Sequence, residues 1–150
     1  MIKTVFFILA LLVAFFDQLI KLLVAGKMLP GQSIPLIPSI LHLTYVKNIG
    51  AAFGLFRSQR YMLIVIGVAV ILAVMYFQRR VETKEYLIQT ALAFILGGSF
   101  GNIIDRIFRG YVVDFIDFRF WPVFNLADIM INLGIFLLLL RILARPKAKI

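Results

Sequence analysis

The sequence has no cysteine, a single histidine and few charged residues. Without cysteine there is no disulfide, no thiolate nucleophile and no cysteine-ligated metal. The one histidine, His42, has no second histidine with which to hold a metal ion or relay a proton, so we expect an interfacial or hydrogen-bonding side chain there. Charged residues make up 15% of the 150 residues and hydrophobic residues 63%, which indicates an integral membrane protein.

Four apolar segments approach the ~20 residues that a helix needs to cross a membrane. The predicted spans are residues 4–25, 61–79, 86–105 and 125–144. The first segment could instead be a cleaved signal peptide, but no small-x-small cleavage site follows it and it continues past Asp17 and Lys21. We therefore expect one domain over residues 1–150, with outer loops at 26–60 and 106–124.

The 16 basic residues give a net charge of +9. They are scattered over loops and span ends, which favours contact with anionic lipid headgroups, and no basic patch interleaved with aromatics predicts nucleic-acid binding. They divide almost evenly between the two sides of a four-span protein and only slightly favour cytoplasmic termini. Within loop 26–60, apolar and polar residues alternate from Leu41 to Val46, which predicts a small strand or hairpin on the membrane surface.

Several acidic residues lie in or beside the predicted spans, where an ionised group costs at least ~2.5–3.5 kcal/mol and is usually paired or functional. Asp17 and Lys21 are four residues apart on the first helix, a spacing that favours a structural ion pair. Asp105, near the end of the third span, has either a structural role, positioning an arginine, or a catalytic one. Asp117 is interpreted as a solvated loop charge.

Asp114 and Asp128 form the most informative pair. In "YVVDFIDF", Asp114 lies among valines and aromatics that suit an interfacial strand or half-helix. In "PVFNLAD", Asn125 is a predicted helix N-cap and Asp128 follows in the first turn. Two carboxylates brought close in a partly dry site share one proton, as in an aspartic peptidase dyad. An ion or proton pathway and a carboxylate metal site remain alternatives.

Five motifs occur in an order that resembles one family. They are "DQLIK", "KNIGAAFG", "GNIIDR", "GYVVDFIDF" and "FNLADIMINLG". From Asp17 to Gly134 the chain is similar to bacterial lipoprotein signal peptidase, also called signal peptidase II. The resemblance implies an all-α membrane aspartyl endopeptidase with four transmembrane helices, a small extracytoplasmic β-cradle and a short mobile segment near Ile107 to Phe120. It also implies removal of signal peptides from diacylglyceryl-modified prolipoproteins by cutting before the lipidated cysteine.

The resemblance assigns roles to nine residues. The implied catalytic residues are Asp114 and Asp128. The residues implied to bind substrate or orient the dyad are Asn48, Asn102, Arg106 and Asn125. The implied supporting residues are Asp17, Lys21 and Asp105.

The resemblance also implies the surroundings of the enzyme. We expect no cofactor and no metal, a monomer in contact with membrane lipid, prolipoprotein substrates, and binding of the family inhibitor globomycin to the dyad. The expected location is the bacterial cytoplasmic (inner) membrane, with both termini cytoplasmic and the active site at the outer face. The alternative is a small ion or proton transporter subunit, which predicts acids at several depths, whereas the peptidase predicts acids clustered at one face.

Overall fold

Four long helices and a three-stranded sheet form the structure, a computed structural model that describes residues 2–50, 56, 59–82 and 84–144. The helices are α1 (Ile2–Lys27), α2 (Arg60–Arg80), α3 (Tyr86–Phe108) and α4 (Leu126–Leu143). All four are long and apolar enough to cross a membrane. The second half of the motif "KNIGAAFG", which falls at 51–54, lies outside the described residues.

Helix α3 is the centre of the bundle, since 67% of its most apolar stretch is buried, against 28% or less in each of the other helices. Glycines bring its neighbours close. A Cβ atom at Gly97 of α3 would lie 2.7 Å from the Cβ of Val13 in α1, and one at Gly134 of α4 would lie 2.6 Å from the carbonyl oxygen of Ala91 in α3. Small residues allow such close backbone packing where hydrophobicity cannot drive helices together in lipid.

The sheet is antiparallel and its order is β1 (Ser33–Ile37), β2 (Leu41–Asn48) and β3 (Val112–Asp117). The first two strands form the hairpin predicted from the alternating pattern. Val113 and Phe115 of β3 pack with Tyr45 of β2 against Val24 and Met28 at the end of α1. The sheet therefore covers the end of the bundle where α1 and α3 finish and α4 begins.

The predicted fold class is confirmed, and the stretch around Asp114, expected to be an interfacial strand or half-helix, is strand β3. The range near 107–120, expected to hold a mobile segment, contains the end of α3 and strand β3. The interpretation of Asp117 as a solvated loop charge is wrong. Asp117 ends β3 with 5% of its surface exposed, and it accepts hydrogen bonds from the Thr44 hydroxyl (2.7 Å) and the Arg119 backbone N–H (2.8 Å).

Candidate active site

Asp114 and Asp128 line the same cavity, although they come from different elements. Asp114 lies in β3, opposite Val46 of β2, and is 1% exposed. Asp128 lies in the first turn of α4. The cavity has a volume of about 1040 Å³. Its polar lining includes Asn48, Asn102 and Arg106, and its apolar lining includes Trp121, Phe124, Ile129, Leu133 and Phe136.

Asn125 connects the two carboxylates. As the N-cap of α4, it accepts a hydrogen bond from the backbone N–H of Asp128 through its Oδ1 (3.0 Å), and its own N–H donates to Asp128 Oδ2 (3.3 Å). This reciprocal capping box satisfies two N–H groups at the helix start. The Asn125 Nδ2 donates to Asp114 Oδ1 (2.7 Å), so one fully buried amide contacts both acidic residues.

Two more amides complete the set of donors around the pair. Asn102 Nδ2 donates to Asp128 Oδ1 (2.8 Å), and Asn48 Nδ2 donates to Asp114 Oδ2 (2.8 Å). Asn102 Oδ1 accepts from Asn125 Nδ2 (3.2 Å), which links the amides to each other. Every carboxylate oxygen of the pair thus has an amide donor, and these donors set the orientation of both side chains.

Arg106 enters the cavity from α3 without an ion pair to either acid in the described part of the chain. Its Nη2 donates to the carbonyl oxygen of Gly50 (3.2 Å), just after β2, and its Nη1 donates to the carbonyl oxygen of Asn102 (3.4 Å). Arg106 therefore joins the end of β2 to the end of α3.

A second group of acids does not line the cavity, and its members are paired with cations. The Lys21 Nζ lies 2.8 Å from Asp17 Oδ2 and 3.3 Å from Asp105 Oδ2, and all three side chains are fully buried. Asp105 also pairs with Arg109. We call Asp17, Lys21, Asp105 and Arg109 the charged cluster.

The charged cluster contacts the main chain directly before each acid of the pair. Asp105 Oδ2 accepts from the backbone N–H of Val113 (2.9 Å), the residue before Asp114. Asp17 Oδ1 accepts from the backbone N–H of Ala127 (2.9 Å), the residue before Asp128. Lys21 adds a third contact by donating to Asn102 Oδ1 (3.0 Å), which leaves the Asn102 Nδ2 directed at Asp128.

The pKa of Asp114 is raised to about 7, mainly by burial and also by the nearby Asp128, while the amides of Asn48 and Asn125 oppose the shift. Desolvation and a like charge both favour the neutral carboxyl. Asp114 can therefore hold a proton near neutral pH, beside a second carboxylate that is hydrogen-bonded to amides. This arrangement can polarise a carbonyl group and activate a water molecule at the same time.

Comparison with known proteins identifies the family. The family model described as signal peptidase (SPase) II matches residues 9–144. The chain belongs to the signal peptidase II family. It is 47% identical over 143 residues to the lipoprotein signal peptidase of Halothermothrix orenii, covering 94% of this chain and 97% of that protein. It is 45% identical over 133 residues to the lipoprotein signal peptidase of Moorella thermoacetica, covering 89% of each chain.

Solved structures also share the fold of this chain. Two structures described as bacterial membrane enzymes match with TM-scores of 0.90 and 0.86, at 30% and 32% sequence identity. The first match covers 98% of this chain and 94% of the other, and the second covers 95% of each. The predicted class of multi-pass inner-membrane aspartic endopeptidase is confirmed, as is signal peptide removal from prolipoproteins. The transporter alternative receives no support.

The structure brings all nine predicted site residues to the sheet end of the bundle. Sequence reasoning missed two members of the surrounding network, Gln18 and Arg109. Gln18 Nε2 donates to the Gly101 carbonyl oxygen (2.9 Å) and to Asp105 Oδ1 (3.2 Å), and its Oε1 accepts from Arg109 (3.2 Å). The spacing of four residues between Asp105 and Arg109 on one helix was a usable signal for the second of these.

Proposed function

We propose that Asp114 and Asp128 are the catalytic dyad and that this chain cuts diacylglyceryl-modified prolipoproteins immediately before the lipidated cysteine. The observation that carries the proposal is that both acids line one cavity and are joined through the amides of Asn125 and Asn102. A dyad needs two carboxylates that share one proton, and amide donors stabilise such a pair without neutralising it as a cation would.

In the proposed reaction Asp114 holds the shared proton and Asp128 is ionised. Asp128 takes a proton from water while the water oxygen attacks the scissile carbonyl carbon, and Asp114 gives its proton to the carbonyl oxygen. When the tetrahedral diol collapses, the C–N bond breaks, Asp128 protonates the leaving nitrogen and the diol returns a proton to Asp114. The raised pKa of Asp114, about 7, supports this assignment of the shared proton.

The other predicted site residues have supporting roles in this proposal. Asn48, Asn102 and Asn125 orient the dyad, and Arg106 holds the end of β2 at the cavity rim, where a substrate main chain would pass. Asp17, Lys21 and Asp105 fix the main chain next to both acids. Their support lies in the contacts to Val113, Ala127 and Asn102 described above.

The residues that line the cavity support the proposal that the substrate is lipidated. Trp121, Phe124, Leu133 and Phe136 provide an apolar surface next to the polar dyad, which suits acyl chains or an apolar signal helix on one side and a peptide bond on the other. We propose a single integral membrane domain that acts as a monomer and binds globomycin at the dyad.

A gel-shift cleavage assay on purified protein tests this function. The substrates are a diacylglyceryl-modified prolipoprotein and its unlipidated form, and the variants are Asp114→Asn and Asp128→Asn. We expect cleavage of the lipidated substrate alone and loss of cleavage in both folded variants. Asp117→Asn is the matched control, because Asp117 belongs to the same acidic stretch but does not line the cavity. Near-parental activity in either dyad variant would refute the assignment.

We also propose that both termini are cytoplasmic and that the sheet and dyad lie at the outer face. Because the chain has no cysteine, single cysteines can be introduced and labelled in intact cells with a membrane-impermeant maleimide. Leu36→Cys, on the exposed strand β1, should react, and Lys84→Cys, between α2 and α3, should not. The reverse pattern would show the opposite orientation.

A further inference from the structure

Asn132 is a polar residue in an otherwise apolar part of helix α4. Helix α4 has the sequence LADIMINLGIFLLLLRIL, in which Asn132 is the only polar side chain between Asp128 in the first turn and Arg141 in the last. Arg141 has its own partner, since it makes two hydrogen bonds to Glu85. An amide in the middle of a membrane-crossing segment is disfavoured unless its hydrogen bonds are satisfied.

Among the described residues, only one hydrogen-bonding group of the Asn132 side-chain amide has a partner. Its Nδ2 donates to the carbonyl oxygen of Asp128, one turn earlier, over 2.9 Å. Within the described residues, the second N–H and the Oδ1 atom make no further hydrogen bond, and the side chain is exposed. The side chain therefore retains an unused donor and an unused acceptor in an otherwise apolar segment.

The position of Asn132 relative to the dyad suggests what it contacts. Asn132 is four positions after Asp128, which places it on the same face of α4 and ~6 Å farther from the sheet along the helix axis. It lines the same cavity as the dyad, on a wall that it shares with Ile129, Leu133 and Phe136. A molecule that reaches from the dyad along this wall must pass the free amide.

We propose that Asn132 is a substrate-binding residue whose free N–H donates to a carbonyl oxygen of the bound prolipoprotein. The inference rests on the proposed function, since it concerns the same cavity. Two parts of the substrate supply such an oxygen: the end of the signal helix, where the last four carbonyls have no partner within the helix, and the ester groups of the diacylglyceryl chain. Both need a donor where there is no water.

The test compares KM and kcat of the parent with those of Asn132→Leu and Asn132→Ser, using a diacylglyceryl (ester-linked) prolipoprotein. A neutral hydrogen bond contributes about a fivefold change in binding. We expect KM to rise about fivefold in both variants while kcat stays within about twofold. Asn132→Ser can still bond to the carbonyl of Asp128, as serine does within helices, so it separates loss of the substrate contact from loss of that internal bond.

A second substrate, in which two ether-linked alkyl chains replace the esters, identifies the carbonyl. If an ester oxygen is the partner, the ether substrate raises the parent's KM about fivefold and the variants change it no further. If a main-chain oxygen is the partner, each variant raises KM equally with both substrates.

The matched control is the double variant Asn132→Leu/Ile135→Asn, which moves the amide to an exposed position that does not line the cavity. It should retain the KM of Asn132→Leu. An unchanged KM in both single variants would overturn the proposal. So would a rise in KM that coincides with a change of molecular mass in detergent, because Asn132 would then join two copies. If instead Asp128→Asn still cleaves substrate, it is the proposed function that fails.

Discussion

Two groups of carboxylates lie at the same end of this molecule and are stabilised in opposite ways. Asp17 and Asp105 of the charged cluster are paired with Lys21 and Arg109. Asp114 and Asp128 accept hydrogen bonds from amides, and among the described residues neither forms an ion pair. A cation strongly favours the ionised form of a carboxylate, whereas an amide N–H favours it less, so a carboxylate held by amides can still bind a proton. The first group is suited to holding a shape and the second to moving a proton.

Replacement of a dyad acid should produce the largest effect and should separate the two groups most clearly. Asp128→Asn retains an oxygen for the capping bond to the Asn125 N–H but removes the base, so we expect kcat/KM to fall about 10³-fold or more. The melting temperature of the purified variant should remain close to that of the parent. A folded Asp128→Asn protein that keeps a tenth of parental activity would contradict the comparison.

Loss of the Lys21 cation from the charged cluster should act mainly on stability, in contrast to replacement of Asp128. Lys21→Met leaves Asp17 and Asp105 with one cation fewer in a fully buried site, and breaking such a pair costs about 3–5 kcal/mol. We expect a lower unfolding temperature in detergent together with reduced activity.

The double variant Lys21→Met/Asp17→Asn restores the charge balance and is the control for Lys21→Met. It should be more stable than Lys21→Met alone, even though it lacks one more native group. If the two variants unfold at the same temperature, charge balance is not what the cluster provides.

The pH dependence should distinguish the dyad from the cluster. Burial and the nearby Asp128 raise the pKa of Asp114 from 3.8 to about 7, so the folded protein binds this proton more tightly than the unfolded chain. The resulting stability is present below pH ~4 and is lost as the pH rises through about 7. In Asp114→Asn this loss should be absent, which thermal unfolding at pH 5 and pH 8 would measure.

Activity should follow the same titration. If the working dyad holds one proton, kcat/KM falls above about pH 7, the Asp114 pKa in the free enzyme. Asn48→Ala removes a hydrogen bond that favours the ionised form, so the pKa should rise and the fall in kcat/KM should move to higher pH. A shift to lower pH would contradict this account of the Asn48 contact.

Asp117 should show the smallest effect, because it belongs to neither group. Hydrogen bonds from Thr44 and the Arg119 backbone hold its pKa below the usual range despite the opposing effect of burial. Asp117→Asn should cost about 1 kcal/mol in free energy of unfolding and change kcat less than twofold. A large loss of activity would mean that the sheet transmits changes to the dyad.

Local rules predicted much of this arrangement from the sequence. Span length and hydropathy predicted four helices, and the Asn125–Asp128 spacing predicted the cap that also orients Asp128. The i,i+4 rule predicted the Asp17–Lys21 pair. In each case the interacting residues are close in sequence, so the regular geometry of a helix brings them together.

Long-range contacts could not be predicted in the same way. Asp17 reaches the backbone of Ala127, and Lys21 reaches Asn102, only because α1, α3 and α4 pack closely at the glycines of α3 and α4. The prediction of a solvated Asp117 is wrong because nothing in the local sequence shows that Thr44 lies on the neighbouring strand. The residues that face each other on two neighbouring strands depend on the register of those strands, which a single sequence does not show.

The pairing of Asp17 with Lys21 has a consequence for how the protein is made. Chains are synthesised from the N-terminus, so α1 meets the bilayer before the residues of α3 that complete its hydrogen bonds have left the ribosome. During that interval Lys21 already has a partner of opposite charge one turn away on its own helix. Helix α1 can thus enter the membrane with the Asp17–Lys21 pair already formed and electrically neutral. The contacts of Lys21 with Asp105 and Asn102 form later, when α3 packs against α1.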